Sequence, residues 1–145
     1  MSQIVPPENM THVFTSIIPM RWGDMDAMGH VNNTVYFRFL EQARIEWYAW
    51  LGRERKAGME TVVVQAHCSF MVPLTYPGVI EVRTFAGAPG RTSFEIVQEI
   101  RRTDQPDVLC ARGGARVVWV DRSTGKSTPL PDTVREIVTG GQSQK

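Results

Sequence analysis

The segment that decides the fold is RWGDMDAMGHVNNTVY, residues 21–36. It places two aspartates, a histidine, two glycines and an Asn-Asn pair directly before an apolar, aromatic-rich run. Glycine, Asn and Asp are typical of a turn between two regular elements. The same residue types also supply catalytic bases, so the segment is a connection, a reactive site, or both.

Residues 33–51 carry the clearest helical pattern of the chain. One apolar stripe follows the helical period, through Tyr36, Leu40, Ala43, Trp47 and Leu51. Further apolar residues cover most of the remaining circumference, which predicts an embedded helix. Asn32 or Asn33 is expected to cap its start, and Gly52 to end it in the left-handed conformation.

Strands are predicted on both sides of this helix. One precedes the quoted segment, at residues 11–22, and four follow the helix, at 61–73, 79–86, 92–102 and 108–121. Apolar and polar residues alternate in these runs, so the even positions of 61–73 are expected to share one face. Tight turns between the later strands indicate an antiparallel sheet. The sequence therefore predicts an α+β fold, with the helix wrapped by the sheet, or by the sheet plus a partner.

Three smaller features refine this prediction. Pro19 indicates that the first strand lies at an edge or contains a bulge. Gly113-Gly114 predicts a bulge or kink in the last strand, and residues 133–138 a short terminal helix. Cys68 and Cys110 lie in strand-like runs and are expected to be reduced thiols of the core.

Length and charge limit the class of protein. A chain of 145 residues forms one domain, with residues 1–10 as a loose lead-in and 139–145 as a flexible tail. Sixteen Lys and Arg against fifteen Asp and Glu give a net charge of +1, which does not favour nucleic acid. No signal peptide and no apolar run of ~20 residues is found, so we expect a cytoplasmic protein without a membrane span.

Several chemistries have no motif in the chain. The sequence has no GxSxG elbow, no phosphate-binding GxxxxGK[ST], no HExxH and no dinucleotide-binding glycine pattern. With only three histidines, we expect no metal site. A metal hydrolase using Asp24, Asp26 and His30 is kept as an alternative.

The two aspartates at the centre of the segment differ in their expected roles. Carboxylates one residue apart on an extended chain point to opposite faces, so Asp24 is interpreted as structural. Asp26 precedes Asn32 by a loop in which Gly29 permits a sharp bend. That bend can place Asp26 beside the N–H groups at the helix start, which bind anions and polarised oxygens. A carboxylate beside such donors suits acyl-group hydrolysis.

The string GDMDAMGHVNN, the following Tyr36 and the order of elements over residues 11–138 resemble the hotdog-fold acyl-CoA thioesterases of the 4-hydroxybenzoyl-CoA thioesterase-like family. The resemblance implies an antiparallel five-stranded sheet wrapped around one long central helix. It also implies hydrolysis of an acyl-CoA to a carboxylic acid and CoA without a cofactor. Homodimers or homotetramers with sites at the dimer interface are expected.

Site residues follow from this resemblance. Asp26 corresponds to the catalytic carboxylate, acting as nucleophile or general base, and N–H groups near Asn33 and Thr34 to the oxyanion hole. His30 is expected to orient Asp26 or the substrate, or to donate to a backbone carbonyl of the turn. The CoA phosphates are expected at basic and hydroxyl residues of a turn and a strand end, namely Arg91, Thr92, Ser93 and Arg101.

Other assignments stay open at this point. Glu41 and Glu46 are rival carboxylates on the helix, although Glu41 is expected to pair with a neighbouring arginine. A hydratase or dehydratase of the same fold, and a non-catalytic acyl-CoA-binding module, are the alternative functions. Trp47, Phe70 and Met71 are candidates for the acyl pocket. The GHVNN stretch differs from the tyrosine-bearing one of the best-known members, so aromatic specificity is not implied.

Overall fold

The computed structural model describes residues 4–54 and 59–140. Its elements, in chain order, are β1 (Met10–Pro19), α1 (Asn33–Trp50), β2 (Met59–Phe70), β3 (Val79–Gly87), β4 (Ser93–Arg102), β5 (Ala111–Asp121) and α2 (Asp132–Val138). Short 3-10 turns cover Trp22–Asp24 and Leu51–Glu54. The predicted order of elements is confirmed. Neither helix is long and apolar enough, over the described residues, to cross a membrane.

All five strands form one antiparallel sheet in the order β1-β3-β4-β5-β2. The two strands that flank α1 in sequence are therefore the two edges, and the strands joined by tight turns form the centre. Pro19 lies in edge strand β1, as predicted, where a missing N–H breaks no central ladder. The α+β class and the hotdog architecture are confirmed.

The inner face of the sheet holds the core around α1. The predicted stripe is fully buried, and Trp47 lies edge-on to Phe94 of β4 with ring centroids 5.8 Å apart. Burying each such large side chain stabilises the fold by roughly 1.5–3 kcal/mol. Gly113 permits the helix to lie this close, because a Cβ there would be only 2.5 Å from Leu40 Cδ1. The helix is thus fixed against the sheet along its whole length.

Two expectations about α1 have different outcomes. Within one chain the sheet covers a single side of the helix, with Phe37 38% exposed and Ile45 55% exposed, so embedding by the sheet plus a partner stays a prediction. Gly52 does not provide a left-handed end, since the helix ends at Leu51 in right-handed geometry and continues into a 3-10 turn. The cap at the start is confirmed, as Asn32 Oδ1 accepts from Thr34 N at 2.9 Å.

The predicted bulge is also in a different strand. Pairing between β2 and β5 is regular at Gly113 and Gly114, and the register shifts instead at Val64 of β2. One extra residue reverses the alternation of faces. Val63 consequently opposes the buried Val117, whereas Val62 opposes Val118 on the outer face, so the even positions of this strand do not all share one face.

Strand ends differ from the prediction where the site forms. β2 stops at Phe70, because the N–H groups of Met71 and Val72 both turn to the carbonyl oxygen of Cys110, at 2.8 and 3.1 Å. β5 begins at Ala111 instead of 108, and Val108 N donates to the carbonyl oxygen of Gln105 in a turn, at 3.1 Å. Cys68 and Cys110 are free thiols, as predicted. Residues 1–3 of the predicted lead-in and 141–145 of the predicted tail lie outside the described residues.

Candidate active site

The loop before α1 closes on itself. Asp26 N donates to the carbonyl oxygen of His30 at 2.7 Å, and Gly29 N donates to that of Asp26 at 3.2 Å. Gly29 has a φ of +81°, a left-handed conformation that a residue without Cβ adopts freely. The bend expected from the sequence is therefore present, and it returns the chain to the start of the helix.

Backbone N–H groups of this loop hold the Asp26 carboxylate. Its Oδ1 accepts from Met28 N at 2.9 Å and from His30 N at 3.2 Å. Within residues 4–54 and 59–140, Oδ2 accepts no hydrogen bond, and the side chain is exposed. One carboxylate oxygen is thus fixed in position while the other is available.

The start of α1 offers one open donor. Thr34 N and Thr34 Oγ1 both donate to Asn32 Oδ1, at 2.9 and 2.8 Å, and Val35 N donates to the Asn32 carbonyl at 2.9 Å. No acceptor for Asn33 N is found in the part of the chain that the structure describes. Of the two predicted oxyanion donors, Asn33 is therefore free, whereas the N–H of Thr34 already belongs to the cap.

These groups line a cleft of about 280 Å³ between the loop, the helix and the end of β2. Its lining residues are Asp26, His30, Val31, Asn33, Tyr36, Phe70, Met71, Val72 and Pro73. The structure thus brings together three of the four residues predicted for catalysis, and Thr34 does not reach the cleft. Catalytic roles for all four remain predictions.

Asp24 has the structural position that the sequence indicated. It is only 4% exposed, and its carboxylate accepts from Arg21 N at 2.9 Å and from Arg21 Nη2 at 3.2 Å. Its carbonyl oxygen accepts from Asn32 N at 2.9 Å, which ties the turn to the helix cap. No group of three His, Cys, Asp or Glu side chains within 4–54 and 59–140 is arranged to hold a metal ion.

The predictions for the His30 side chain and for the two helix glutamates have different outcomes. The ring of His30 is exposed and donates to no carbonyl of the described residues, so its predicted bond within the turn is wrong; its backbone holds Asp26 instead. Glu41 accepts from Arg38 Nη1 at 2.9 Å, as predicted. Glu46 accepts from Gln42 Nε2 at 2.9 Å, and neither glutamate lines the cleft with Asp26.

Of the residues predicted for the CoA phosphates, Arg91, Thr92 and Ser93 lie together, but Arg101 lies apart from them. Arg91 and Thr92 precede β4, and Ser93 opposes Val118, at the end of the sheet where β2 starts. The cleft lies at the other end, where Phe70 opposes Ala111. Arg101 is at the cleft end, but it donates to Glu99 at 2.8 Å. Within one chain, Arg91, Thr92 and Ser93 therefore lie at the opposite end of the sheet from Arg101 and the cleft.

The walls of the cleft agree in part with the prediction. Phe70 and Met71 line it, whereas Trp47 is fully buried in the core at the other half of the helix. Sequence reasoning missed that Tyr36 lines the cleft, because its position in the apolar stripe indicated core packing alone. Its hydroxyl oxygen accepts from Leu74 N at 3.2 Å, and burial raises the pKa of this phenol above its ordinary value.

The antiparallel sheet around one helix is the hotdog architecture, and a carboxylate in one cleft with the helix start suits a thioester hydrolase. Family comparison agrees with this class: the profile of the Thioesterase-like superfamily matches residues 20–138. The chain belongs to that superfamily, which makes it a thioester hydrolase.

Individual relatives are similar over most of their length. The PA2801 protein of Pseudomonas aeruginosa, a proposed thioesterase, is 36% identical, spans 86% of this chain and 97% of its own, and superposes with a TM-score of 0.81. A proposed acyl-CoA thioesterase from Xanthomonas campestris is 38% identical over 81% of this chain and all of its own (100%), with a TM-score of 0.68. A proposed esterase from Aquifex aeolicus is 29% identical over 119 residues, 79% of this chain and 89% of its own.

Proposed function

We propose that the protein hydrolyses acyl-CoA thioesters to a carboxylic acid and CoA, with Asp26 as the reacting carboxylate and Asn33 N–H as a donor to the thioester oxygen. One observation carries this proposal: an unpaired carboxylate oxygen and an unpaired helix N–H line the same cleft of the described chain. The Xanthomonas relative, described as an acyl-CoA thioesterase, supports the substrate class.

Two routes use the same geometry. As a general base, Asp26 takes a proton from water, the hydroxide oxygen bonds to the carbonyl carbon, and the C=O electron pair moves to the oxygen beside Asn33 N–H. The C–S bond then breaks, and the CoA thiolate takes the proton back from Asp26. As a nucleophile, Asp26 bonds to the carbonyl carbon itself and the C–S bond breaks, so that CoA leaves as the thiolate. Water then cleaves the resulting anhydride: its oxygen bonds to the acyl carbon, the Asp26 carboxylate leaves, and the proton released from water goes to the thiolate.

The loop contributes by fixing the carboxylate before substrate arrives. The donations from Met28 N and His30 N restrict rotation of Asp26, so its free oxygen needs little rearrangement to react. In enzymes that hydrolyse acyl groups, a single oxyanion donor contributes about 10²–10³-fold to kcat. The carboxylate should contribute at least as much, because bond formation to the carbonyl carbon depends on it in both routes.

Thiol release from a panel of acyl-CoAs by Asp26→Asn tests the proposal. Asparagine keeps an Oδ1 that accepts from Met28 N and His30 N, so the loop stays folded while the charge is lost. We expect kcat/KM to fall by about 10²-fold or more on every substrate the wild type hydrolyses. Glu41→Gln is the matched control and should retain wild-type activity. Asp26→Asn activity within a few-fold of wild type would refute the assignment.

We further propose that the functional unit is a homodimer formed through β2. The outer edge of β2 pairs with no described strand, and Val62, Val63 and Val64 on it are exposed. Antiparallel pairing of two such edges sets the start of one β2 beside the end of the other. The partner's Arg91 would then lie near this chain's cleft, which offers a phosphate site that one chain lacks.

Light scattering of the purified protein measures this assembly. We expect the mass of a dimer, or of a tetramer built from two such dimers. A Val63→Glu variant should shift the protein towards monomer and reduce thiol release together, because the cleft would lose its proposed second wall. A fully active monomer would contradict the proposal.

A further inference from the structure

The hydroxyl of Tyr36 is a buried donor without an acceptor in the described chain. Tyr36 is 3% exposed, and its oxygen accepts from Leu74 N at 3.2 Å. The hydroxyl hydrogen itself has no acceptor within residues 4–54 and 59–140. A phenol both donates and accepts, and buried donors are nearly always paired. The group that completes this hydroxyl is therefore expected to come from outside the chain.

The position of Tyr36 indicates where that group binds. Tyr36 follows Asn33 by three residues on α1, so the two lie on one helix face, about 5–6 Å apart at Cβ. Long helical side chains lean towards the helix N-terminus, over the preceding turn. Leu74, which donates to the hydroxyl, accepts from Val31 N at 2.8 Å, two residues before Asn33. Tyr36 thus lines the same cleft as Asp26, and its hydroxyl is bonded to Leu74, which also pairs with the chain just before the helix start.

We propose that the Tyr36 hydroxyl is a second donor to the thioester oxygen, acting with Asn33 N–H as negative charge develops there. This inference rests on the proposed thioesterase function and adds a catalytic residue to it. No proton is transferred: the O–H bond stays intact and its hydrogen bond strengthens as the C=O electron pair moves to oxygen. The tyrosine therefore stabilises the transition state more than the bound substrate.

Surrounding contacts fit a fixed donor. The ring of Tyr36 lies edge-on to Phe70 with centroids 4.9 Å apart, which holds its plane at the end of β2. The donation from Leu74 N polarises the hydroxyl, since consecutive hydrogen bonds reinforce one another in a poorly solvated site. A preorganised donor of this kind contributes without reorganising during the reaction.

Tyr36→Phe removes the hydroxyl and keeps the ring. We expect kcat to fall by about 10²-fold while the Kd of a CoA thioether of the same chain length stays within about 2-fold, because the thioether has no carbonyl oxygen. Tyr48→Phe, on the same helix but in the other half of the core, is the matched control and should keep wild-type kcat. Circular dichroism and thermal unfolding establish that each variant folds.

The outcomes separate this inference from a structural role and from the proposed function. A kcat within about 3-fold of wild type overturns it, and so does a loss of thioether affinity as large as the loss in kcat/KM, which indicates a deformed cleft. If Tyr36→Phe does not fold, 3-fluorotyrosine at this position keeps the ring and the acceptor for Leu74 and is a stronger donor. Its kcat should rise by about 2-fold or more, and an unchanged kcat overturns the inference. Wild-type protein that releases no thiol would instead refute the proposed function itself.

Discussion

Replacing Gly113 by alanine tests how closely the helix depends on the sheet. The new Cβ would lie 2.5 Å from Leu40 Cδ1 and 2.9 Å from the carbonyl oxygen of His67. Carbon atoms in contact are ordinarily about 3.5–4.0 Å apart, so Leu40 would have to move by roughly 1 Å. The carbonyl belongs to the β2–β5 ladder and cannot move without breaking pairing. Overpacking of this kind destabilises by about 1–3 kcal/mol.

Urea unfolding followed by circular dichroism measures this cost directly. For a chain of this size the loss corresponds to a fall in Tm of roughly 3–12 °C. Gly52→Ala is the matched control, because no atom lies within 4 Å of the position that its new methyl group would take and its φ is not left-handed. It should change the free energy of unfolding by less than about 0.5 kcal/mol. A Gly113→Ala variant as stable as the Gly52→Ala control would refute the close-approach argument.

Three further changes probe the cap, the proposed phosphate site and the pH dependence of stability. Asn32→Ala should lower the free energy of unfolding by about 1 kcal/mol in urea, because Thr34 N loses its acceptor, whereas Asn33→Ala keeps the cap and should not. Arg91→Ala should raise KM for acyl-CoA but leave turnover of the N-acetylcysteamine thioester, which lacks phosphates, unchanged; equal effects on both would contradict the assignment. Burial lowers the pKa of His12 below its ordinary 6.5, so the folded state favours the neutral ring. The resulting contribution to the free energy of unfolding is present above pH 6.5 and is lost as the pH falls below it. Urea unfolding at about pH 7.5 and about pH 5.5 should show that loss in wild type and a smaller one in His12→Asn.

The fold could be predicted from the sequence because its strongest signals are local. The α1 stripe, the Asn32 cap and the hairpin turns each depend on residues close together in the chain, and each is present. Other features depend on long-range packing. Whether α1 is covered on all sides depends on how far the sheet extends, and the bulge at Val64 instead of Gly113 depends on the pairing of two distant strands. Periodicity within one segment does not report either property.

The same distinction between local and long-range features applies to the candidate site. The bend at Gly29 and the choice of Asp26 over Asp24 follow from one short segment, and the structure places both carboxylates in agreement with that interpretation. Tyr36 could not be identified as part of the cleft from the sequence. Its position in the apolar stripe is the same whether its hydroxyl only packs in the core or faces a ligand. The separation of Arg91 from the cleft likewise follows from strand order, which composition does not encode.

The hydrogen bonds that hold Asp26 come from its own loop, between Asp26 and His30, whereas the opposite wall comes from residues 70–73. The proposed reacting group and the surface proposed to contact the acyl chain are therefore encoded in separate parts of the gene. Substitutions at Met71 or Val72 can reshape the pocket without disturbing the carboxylate. A scaffold divided in this way can acquire new substrates by changes in one short segment while its chemistry is inherited intact.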